Sequence, residues 1–266
     1  MLVALLVVAG CSEPEPSAPP SPVSSVSPVS SGKYWTPAPG TTWQWQLSGT
    51  VDRSVDVAVY DIDGFTNGAD VVASLHAAGR KVICYVNVGA AEDFRSDYRK
   101  FPAAVLGKGL DGWPGERWLD VRRWESLEPI MSARFDMCRT KGFDAIEPDN
   151  VDGFANDSGF PLTSADQLTY NRRIAALAHS RGLSIGLKND LEQVPDLVND
   201  FQFAVNEECL AYDECSELKP FVDAGKAVFH VEYSDEPCRK TTPPGFSSLR
   251  KNLELDAFVR PCTPRR

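Results

Sequence analysis

The sequence predicts a single (β/α)8 barrel over residues 33–266. From residue 43 onward, short runs of β-branched and aromatic residues alternate with helix-like stretches, a pattern typical of parallel βα architecture. Several helix-like stretches end in a glycine that leads directly into the next strand, as expected where a left-handed residue closes each helix. Eight strands in about 230 residues suit a closed barrel. A doubly wound open sheet is the alternative, but no GxGxxG motif follows the first strand.

The elements of this barrel follow from the same pattern. The predicted strands are Trp43–Leu47, Asp56–Asp61, Lys81–Val88, Trp118–Val121, Phe143–Glu147, Ser184–Lys188, Phe201–Asn206 and Ala227–Glu232. The predicted helices are Gly68–Ala78, Trp124–Lys141, Ser164–Arg181, Leu191–Asn199 and Glu214–Ala224. The glycines that close four of them are Gly79, Gly142, Gly182 and Gly225.

The residues before the barrel have a different composition. Residues 1–10 are mostly apolar, too few to span a bilayer, and end in small residues before Cys11, which resembles a lipoprotein signal cleaved before that cysteine. An ordinary signal peptide is the alternative. Residues 11–32 hold six prolines and eight serines and predict a disordered linker. We therefore expect an exported protein, held at the membrane by a lipid on Cys11 or secreted.

The remaining six cysteines fit an exported chain. An even number predicts disulfides, with 15 possible pairings, and we favour the local loops Cys209–Cys215 and Cys238–Cys262, which leaves Cys84–Cys138. No CxxC pair occurs and the chain has three histidines. A structural zinc site is therefore not expected, and the predicted chemistry needs no metal or cofactor.

The net charge is −10, from 37 acidic and 27 basic side chains. This balance argues against nucleic acid as a partner and mildly favours a cationic one, although an acidic surface often serves only solubility. We expect a monomer.

Polar residues follow seven of the predicted strands at their carboxyl ends, the edge at which parallel barrels place their chemistry. One such residue often only caps the next helix. Burying polar groups at seven strand ends is unfavourable, because the groups lose their contacts with water. A substrate-binding site on this rim would explain why the sequence keeps them there. The candidates are Tyr60, Asp61, Asp63, Tyr85, Asn87, Asp120, Glu147, Asn150, Lys188, Asp190, Glu208, Glu232 and Tyr233, together with Asp149 and Glu207.

Side-chain alternation along the strands indicates which of these residues face inward. Ile146 should face the helices, which turns Ala145, Glu147 and Asp149 into the barrel. Glu207 should face inward from another strand, so that Asp149 and Glu207 face a shared cavity. Two facing carboxyls, one ionised and one protonated, are the minimum that a glycosidase requires.

Four segments together resemble glycoside hydrolase family 114, over about residues 40–236: Tyr60–Asp63, Cys84–Gly89, Phe143–Asn150 and Asn206–Cys209. The resemblance implies a TIM barrel that cleaves α-1,4-linked galactosamine-rich polysaccharide internally, as an endo-α-1,4-polygalactosaminidase. It implies that the paired catalytic acids are Asp149 and Glu207. We assign Asp149 as nucleophile and Glu207 as general acid/base of a retaining mechanism. The roles could be exchanged, and Glu147 and Glu208 are the nearest competitors.

Free galactosamine units are cationic near neutral pH, so the acidic rim should attract such a polymer. We therefore expect cleavage to weaken with added salt and with full N-acetylation. A lipid-anchored, non-catalytic glycan-binding barrel and a hydrolase of another α-glycan remain alternatives. A serine nucleophile is poorly supported, because no GxSxG motif occurs.

Overall fold

The computed structural model describes Leu2 and residues 34–262. The predicted signal (Leu2 apart), the lipidation site Cys11 and the linker therefore lie outside the described residues.

Twelve strands and five α-helices lie within residues 34–262. The strands are β1 Trp43–Gln46, β2 Val59–Asp63, β3 Lys81–Asn87, β4 Ala90–Glu92, β5 Leu106–Leu110, β6 Trp113–Leu119, β7 Ala145–Asp149, β8 Ser184–Lys188, β9 Phe203–Glu207, β10 Val228–Glu232, β11 Phe246–Arg250 and β12 Arg260–Pro261. The helices are α1 Ala69–Ala77, α2 Trp124–Lys141, α3 Ser164–His179, α4 Val194–Leu197 and α5 Lys219–Asp223.

Eight of these strands pair in parallel in the order β1-β2-β3-β7-β8-β9-β10-β11, and β12 adds to β11 in the antiparallel direction. The sheet curls so that its ends meet. The indole of Trp43 donates to the carbonyl of Ser247 at 2.8 Å, and the Gly40 amide donates to the Gly245 carbonyl at 2.9 Å. The predicted TIM barrel is confirmed.

The assignment of two strands differs from the prediction. The expected strand Trp118–Val121 does not join the barrel, because Trp118 belongs to β6, which forms a separate antiparallel sheet with β4 and β5. Instead, β3 pairs directly with β7, and the eighth strand of the barrel is β11, beside β10. The sequence pattern did not predict β11. Only Leu249 of β11 is fully buried, so the segment lacks the apolar run that marks a central strand.

Two apolar layers flank the barrel wall. Inward-facing side chains such as Trp45, Ile83 and Phe203 fill the interior, while the opposite faces of the strands pack beneath the helices, with Ile146 among them. Ala145 lies in the inner layer. The predicted alternation along β7 is therefore confirmed.

Helix ends and disulfides also follow the prediction. All four closing glycines adopt positive φ, and Gly142, at φ 93°, caps α2. The helices α4 and α5 are shorter than predicted. The disulfides Cys84–Cys138, Cys209–Cys215 and Cys238–Cys262 are all formed, which fits an oxidising compartment. In the part of the chain that the structure describes, none of the helices has both the length and the apolar character needed to cross a bilayer.

Candidate active site

A cavity of about 430 Å³ opens at the carboxyl ends of the barrel strands. Asp149, Lys188 and Glu207 line its floor from three consecutive strands of the sheet, and Tyr85 and Tyr233 line it from either side. We call this space the catalytic cavity. The parallel arrangement places the ends of these strands at one edge, so residues far apart in sequence meet here.

The Lys188 ammonium lies at the centre of the cavity floor. Its Nζ is 2.7 Å from Asp149 Oδ1, 3.0 Å from Glu207 Oε2 and 3.7 Å from Glu147 Oε1. It also lies 5.0 Å from the centre of the Trp45 ring. One buried cation therefore holds three carboxyl groups, and β8, which carries it, lies between the strands that carry Asp149 and Glu207.

Asp149 is held as an anion. Burial by itself raises the pKa of this carboxyl, but the Lys188 charge and hydrogen bonds hold it below its usual range. The Tyr85 hydroxyl donates to Oδ2 at 2.7 Å, and the Asn150 amide donates to the same oxygen at 3.4 Å. An ionised carboxylate in a buried cavity is suited to act as a nucleophile.

Glu207 is the more accessible of the two acids, with 27% of its side chain exposed. The Tyr233 hydroxyl donates to Oε1, and the Asn189 amide donates to Oε2 at 3.3 Å. The nearest oxygens of Asp149 and Glu207 are separated by no more than the sum of their two distances to Lys188 Nζ. The two carboxyl groups therefore face one shared space.

Glu147 and Asp61 form a buried pair beneath the cavity. The Trp45 indole donates to Glu147 Oε2 at 2.9 Å, and burial raises the pKa of Glu147 to about 7. Burial and the neighbouring Glu147 raise the pKa of Asp61 well above its usual value. Neither oxygen of the Asp61 carboxyl has a hydrogen-bond partner among the described residues.

Two further predicted residues, Asp63 and Asn150, line the catalytic cavity and already form hydrogen bonds or ion pairs with other residues. Asp63 accepts hydrogen bonds from the Phe65 and Thr66 amides and pairs with Arg95 at 2.5 Å. Asn150 adopts a left-handed conformation, with φ 60°, which asparagine tolerates well.

Besides Asp61 and Glu147, four predicted substrate-binding residues line neither the catalytic cavity nor the cavity beside it. Tyr60 alternates with the inward-facing Asp61 and Asp63, so it lies in the outer core, where its hydroxyl donates to the Val55 carbonyl. Asp120 forms ion pairs with arginines in the turn that follows it.

The other two are buried at the carboxyl ends of their strands, β10 and β3. Glu232 is fully buried and accepts hydrogen bonds from the Leu210 and Ala211 amides. Asn87 accepts one from the Ala90 amide and donates to Glu116. These residues organise the loops around the site. Asp190 and Glu208 line a neighbouring cavity instead.

Sequence reasoning missed several residues that line the catalytic cavity. Glu116 and Trp113 extend over its mouth from β6, and Phe94 and Arg95 from the segment after β4. Burial and the neighbouring Glu92 and Asp149 raise the pKa of Glu116 to about 7. No strand-end rule could find these residues, because they lie on the separate sheet.

The structure offers no ready metal site in residues 34–262. The grouping with ligand atoms close enough is Cys209, Cys215 and His230, and its two cysteines are joined in a disulfide, so they provide no thiolates.

Several known proteins have a similar sequence or fold. A family model described as glycoside-hydrolase family GH114 matches residues 24–265. The crystal structure of Aspergillus fumigatus Ega3 in complex with galactosamine is 41% identical, with a TM-score of 0.83, over 87% of this chain and 100% of its own. The glycoside hydrolase domain of PelA from Pseudomonas aeruginosa has a similar fold at 13% identity, with a TM-score of 0.64, over 85% of this chain and 100% of its own. An uncharacterized protein of Deinococcus radiodurans is 26% identical over 279 residues, 89% of each chain.

Proposed function

We propose a substrate and a mechanism for this chain, which belongs to glycoside hydrolase family 114 and is a glycosidase. It cleaves α-1,4-linked galactosamine-rich polysaccharide internally, with retention of configuration. The observation that carries the proposal is the bridge from Lys188 to both Asp149 and Glu207. It brings the two acids to one cavity, as a mechanism with a carboxylate nucleophile and a second acid requires. The similarity to a structure that holds galactosamine supports the choice of sugar.

The mechanism assigns a different role to each of the two carboxyls. Asp149, kept ionised by Lys188, attacks the anomeric carbon as the bond to the leaving oxygen breaks. Glu207, in its protonated form, gives its proton to that oxygen. In the second step, Glu207 takes a proton from water as the water oxygen displaces Asp149 from the anomeric carbon.

The charge of the site supports a cationic substrate. Free amino groups on the polymer are ammonium ions near neutral pH, and the barrel mouth is rich in carboxylates. We expect turnover to fall with added salt and with full N-acetylation of the polymer. A non-catalytic glycan-binding barrel would not need two acids bridged by one buried lysine, so the geometry favours an enzyme.

The test separates the two catalytic roles. The purified protein is incubated with partly deacetylated α-1,4-galactosaminan, and with a galactosamine oligomer that carries an activated aryl leaving group. Asp149→Asn should abolish turnover of both substrates. Glu207→Gln should lower polymer turnover by about 10²–10⁴-fold but keep most of kcat/KM on the aryl substrate, whose leaving group needs no proton, while kcat on that substrate falls because water is no longer deprotonated in the second step.

Two further variants serve as controls. Glu116→Gln tests the competing acid over the cavity mouth and should keep far more activity on the polymer than Glu207→Gln. Asp136→Asn, on the outer surface of α2, should behave as the unmodified protein. Near-normal polymer cleavage by both Asp149→Asn and Glu207→Gln would refute the assignment.

We further propose that the chain is exported as a monomer, with residues 1–10 removed, Cys11 lipidated and residues 11–32 acting as a tether to the membrane. The three disulfides support export. Loss of the lipid mass and of detergent partitioning in Cys11→Ala would support lipidation, whereas identical behaviour of the two proteins would contradict it.

A further inference from the structure

A second cavity, of about 470 Å³, adjoins the catalytic cavity on the Glu207 side. Glu207, Tyr233, Trp113 and Leu253 line both spaces, so the two form one continuous groove across the barrel mouth. We call the second space the acidic cavity.

The charge of the acidic cavity is uncompensated. Its carboxylate residues are Asp152, Asp190, Glu192, Glu207, Glu208 and Glu214, and no lysine, arginine or histidine lines it. Apart from Glu207, none of them forms an ion pair with any residue among 34–262. Burial, together with nearby carboxylates, raises the pKa of Asp152 to about 6 and that of Asp190 to about 8.

Two buried oxygens in this cavity lack hydrogen-bond donors. Asp190 Oδ1 and Asn206 Oδ1 have no partner among the described residues, although only 4% and 1% of these residues are exposed. The other oxygen of Asp190 is fixed by the Asn171 amide at 2.8 Å. A buried acceptor without a donor is unfavourable, and donors on a ligand in the cavity would relieve this cost once the two side chains turn toward it.

The spacing of the carboxylates excludes a single metal ion. In the described part of the chain, no three carboxylate residues of this cavity place their oxygens within 4.8 Å of one another. A divalent cation needs convergent oxygens. A chain of separate cationic groups, each with its own donors, fits dispersed carboxylates along a groove.

The catalytic cavity contrasts with this. There Arg95 pairs with Asp63 and with Glu92, and Lys188 pairs with Asp149. Aromatic rings such as Phe94 and Trp45 complete the lining. Its two cations offset part of its acidic charge, and its aromatic rings offer apolar surface, so it can hold a neutral N-acetylated sugar as well as a charged one.

We propose that the acidic cavity binds the leaving-group side of the polymer and selects sugars with free amino groups there, whereas the catalytic cavity accepts either form. The inference rests on the proposed function. Because Glu207 protonates the leaving oxygen and lies at the junction of the two cavities, the sugar attacked by Asp149 occupies the catalytic cavity. The leaving sugars then extend into the acidic cavity, where carboxylates and orphan acceptors meet their ammonium groups.

The experiment reads the sugar on each side of every cleaved bond. A randomly half-acetylated α-1,4-galactosaminan is digested in ¹⁸O-water, which marks each new reducing end, and the products are sequenced by tandem mass spectrometry. At the new non-reducing ends, the ratio of free to N-acetylated galactosamine should be about tenfold higher than in the polymer, because each partly exposed ammonium–carboxylate contact contributes a factor of about 2–5. The new reducing ends should follow the polymer composition.

A triple variant, Glu192→Gln with Glu208→Gln and Glu214→Gln, removes charge at partly or fully exposed positions of the acidic cavity without changing side-chain shape. We expect it to lose most of the enrichment and to raise KM on the deacetylated polymer more than it lowers kcat. The matched control is Glu254→Gln, which removes one exposed charge from the opposite end of the groove and should leave the enrichment unchanged.

The outcomes separate the two proposals. A protein that cleaves no galactosamine polymer refutes the proposed function. A protein that cleaves the polymer but leaves non-reducing ends of random composition, or that enriches the reducing ends instead, overturns this inference alone. So does a triple variant that folds normally and retains the full enrichment.

Discussion

Replacing Lys188 with methionine removes the positive charge between the two proposed catalytic acids. Lys188→Met retains an unbranched side chain of similar length, so the packing against Trp45 changes little. The main consequence is electrostatic, because three carboxyl groups lose their common counter-ion.

The size of the effect follows from the distances. At an effective dielectric constant of about 20, the contacts of 2.7 and 3.0 Å from Lys188 to Asp149 and Glu207 each correspond to about 6 kcal/mol of attraction. The cost of removing the charges from water offsets much of this. Breaking a buried ion pair from one side typically lowers the free energy of unfolding by about 3–5 kcal/mol, and we expect that loss at pH 7.

The loss should depend on pH in a defined direction. With Lys188 present, the pKa of Asp149 lies below its unfolded value, so this carboxylate stabilises the fold above that value and the contribution is lost as pH falls. Without Lys188, burial raises the pKa above the unfolded value, and protonation then stabilises the variant at low pH. The difference in stability between the two proteins should therefore shrink as pH is lowered from about 7 to 4.

Urea denaturation across this pH range measures the stability difference, and the pH–rate profile measures the effect on activity. Protonated Asp149 cannot attack the anomeric carbon, so the acidic limb of the profile should move to higher pH in Lys188→Met. Lys226→Met is the control. Its ammonium donates to the Phe201 carbonyl at the far end of the barrel, so it should alter stability without moving the profile.

An unchanged acidic limb in Lys188→Met, with stability within about 1 kcal/mol of the unmodified protein at every pH, would refute the reasoning.

Two other predictions concern stability. As pH rises from 5 to 8, the free energy of unfolding of Glu147→Gln should fall by roughly 1–3 kcal/mol less than that of the unmodified protein. The reason is that the pKa of Glu147 is raised to about 7, so its ionisation in this range opposes folding. Urea denaturation at each pH measures the difference. Removing the disulfide Cys84–Cys138, which closes a loop with a sequence separation of 54, should cost about 4 kcal/mol. Removing Cys209–Cys215, with a separation of 6, should cost about 2.5 kcal/mol in paired cysteine-to-alanine variants.

Parallel stability curves for Glu147→Gln and the unmodified protein would show that Glu147 does not titrate in this range. A larger loss from the short loop than from the long one would contradict the loop-entropy argument for the disulfides.

The sequence by itself determined which residues face the barrel interior. Side chains alternate along a strand with a period of two, a local property, so the inward direction of Glu147 and Asp149 could be derived from one strand alone. The same rule, applied to β2, places Asp61 and Asp63 inward and Tyr60 outward. The inclusion of Tyr60 among the binding residues was therefore an error that the sequence could have prevented.

Only the tertiary structure decided the partners of these residues. The strand order places Lys188 between Asp149 and Glu207, and the separate antiparallel sheet brings Glu116 over the cavity. A carboxyl's pKa depends on charges within a few ångströms and on its depth from water. Both are fixed by which segments meet in space, and no local pattern along the chain records that.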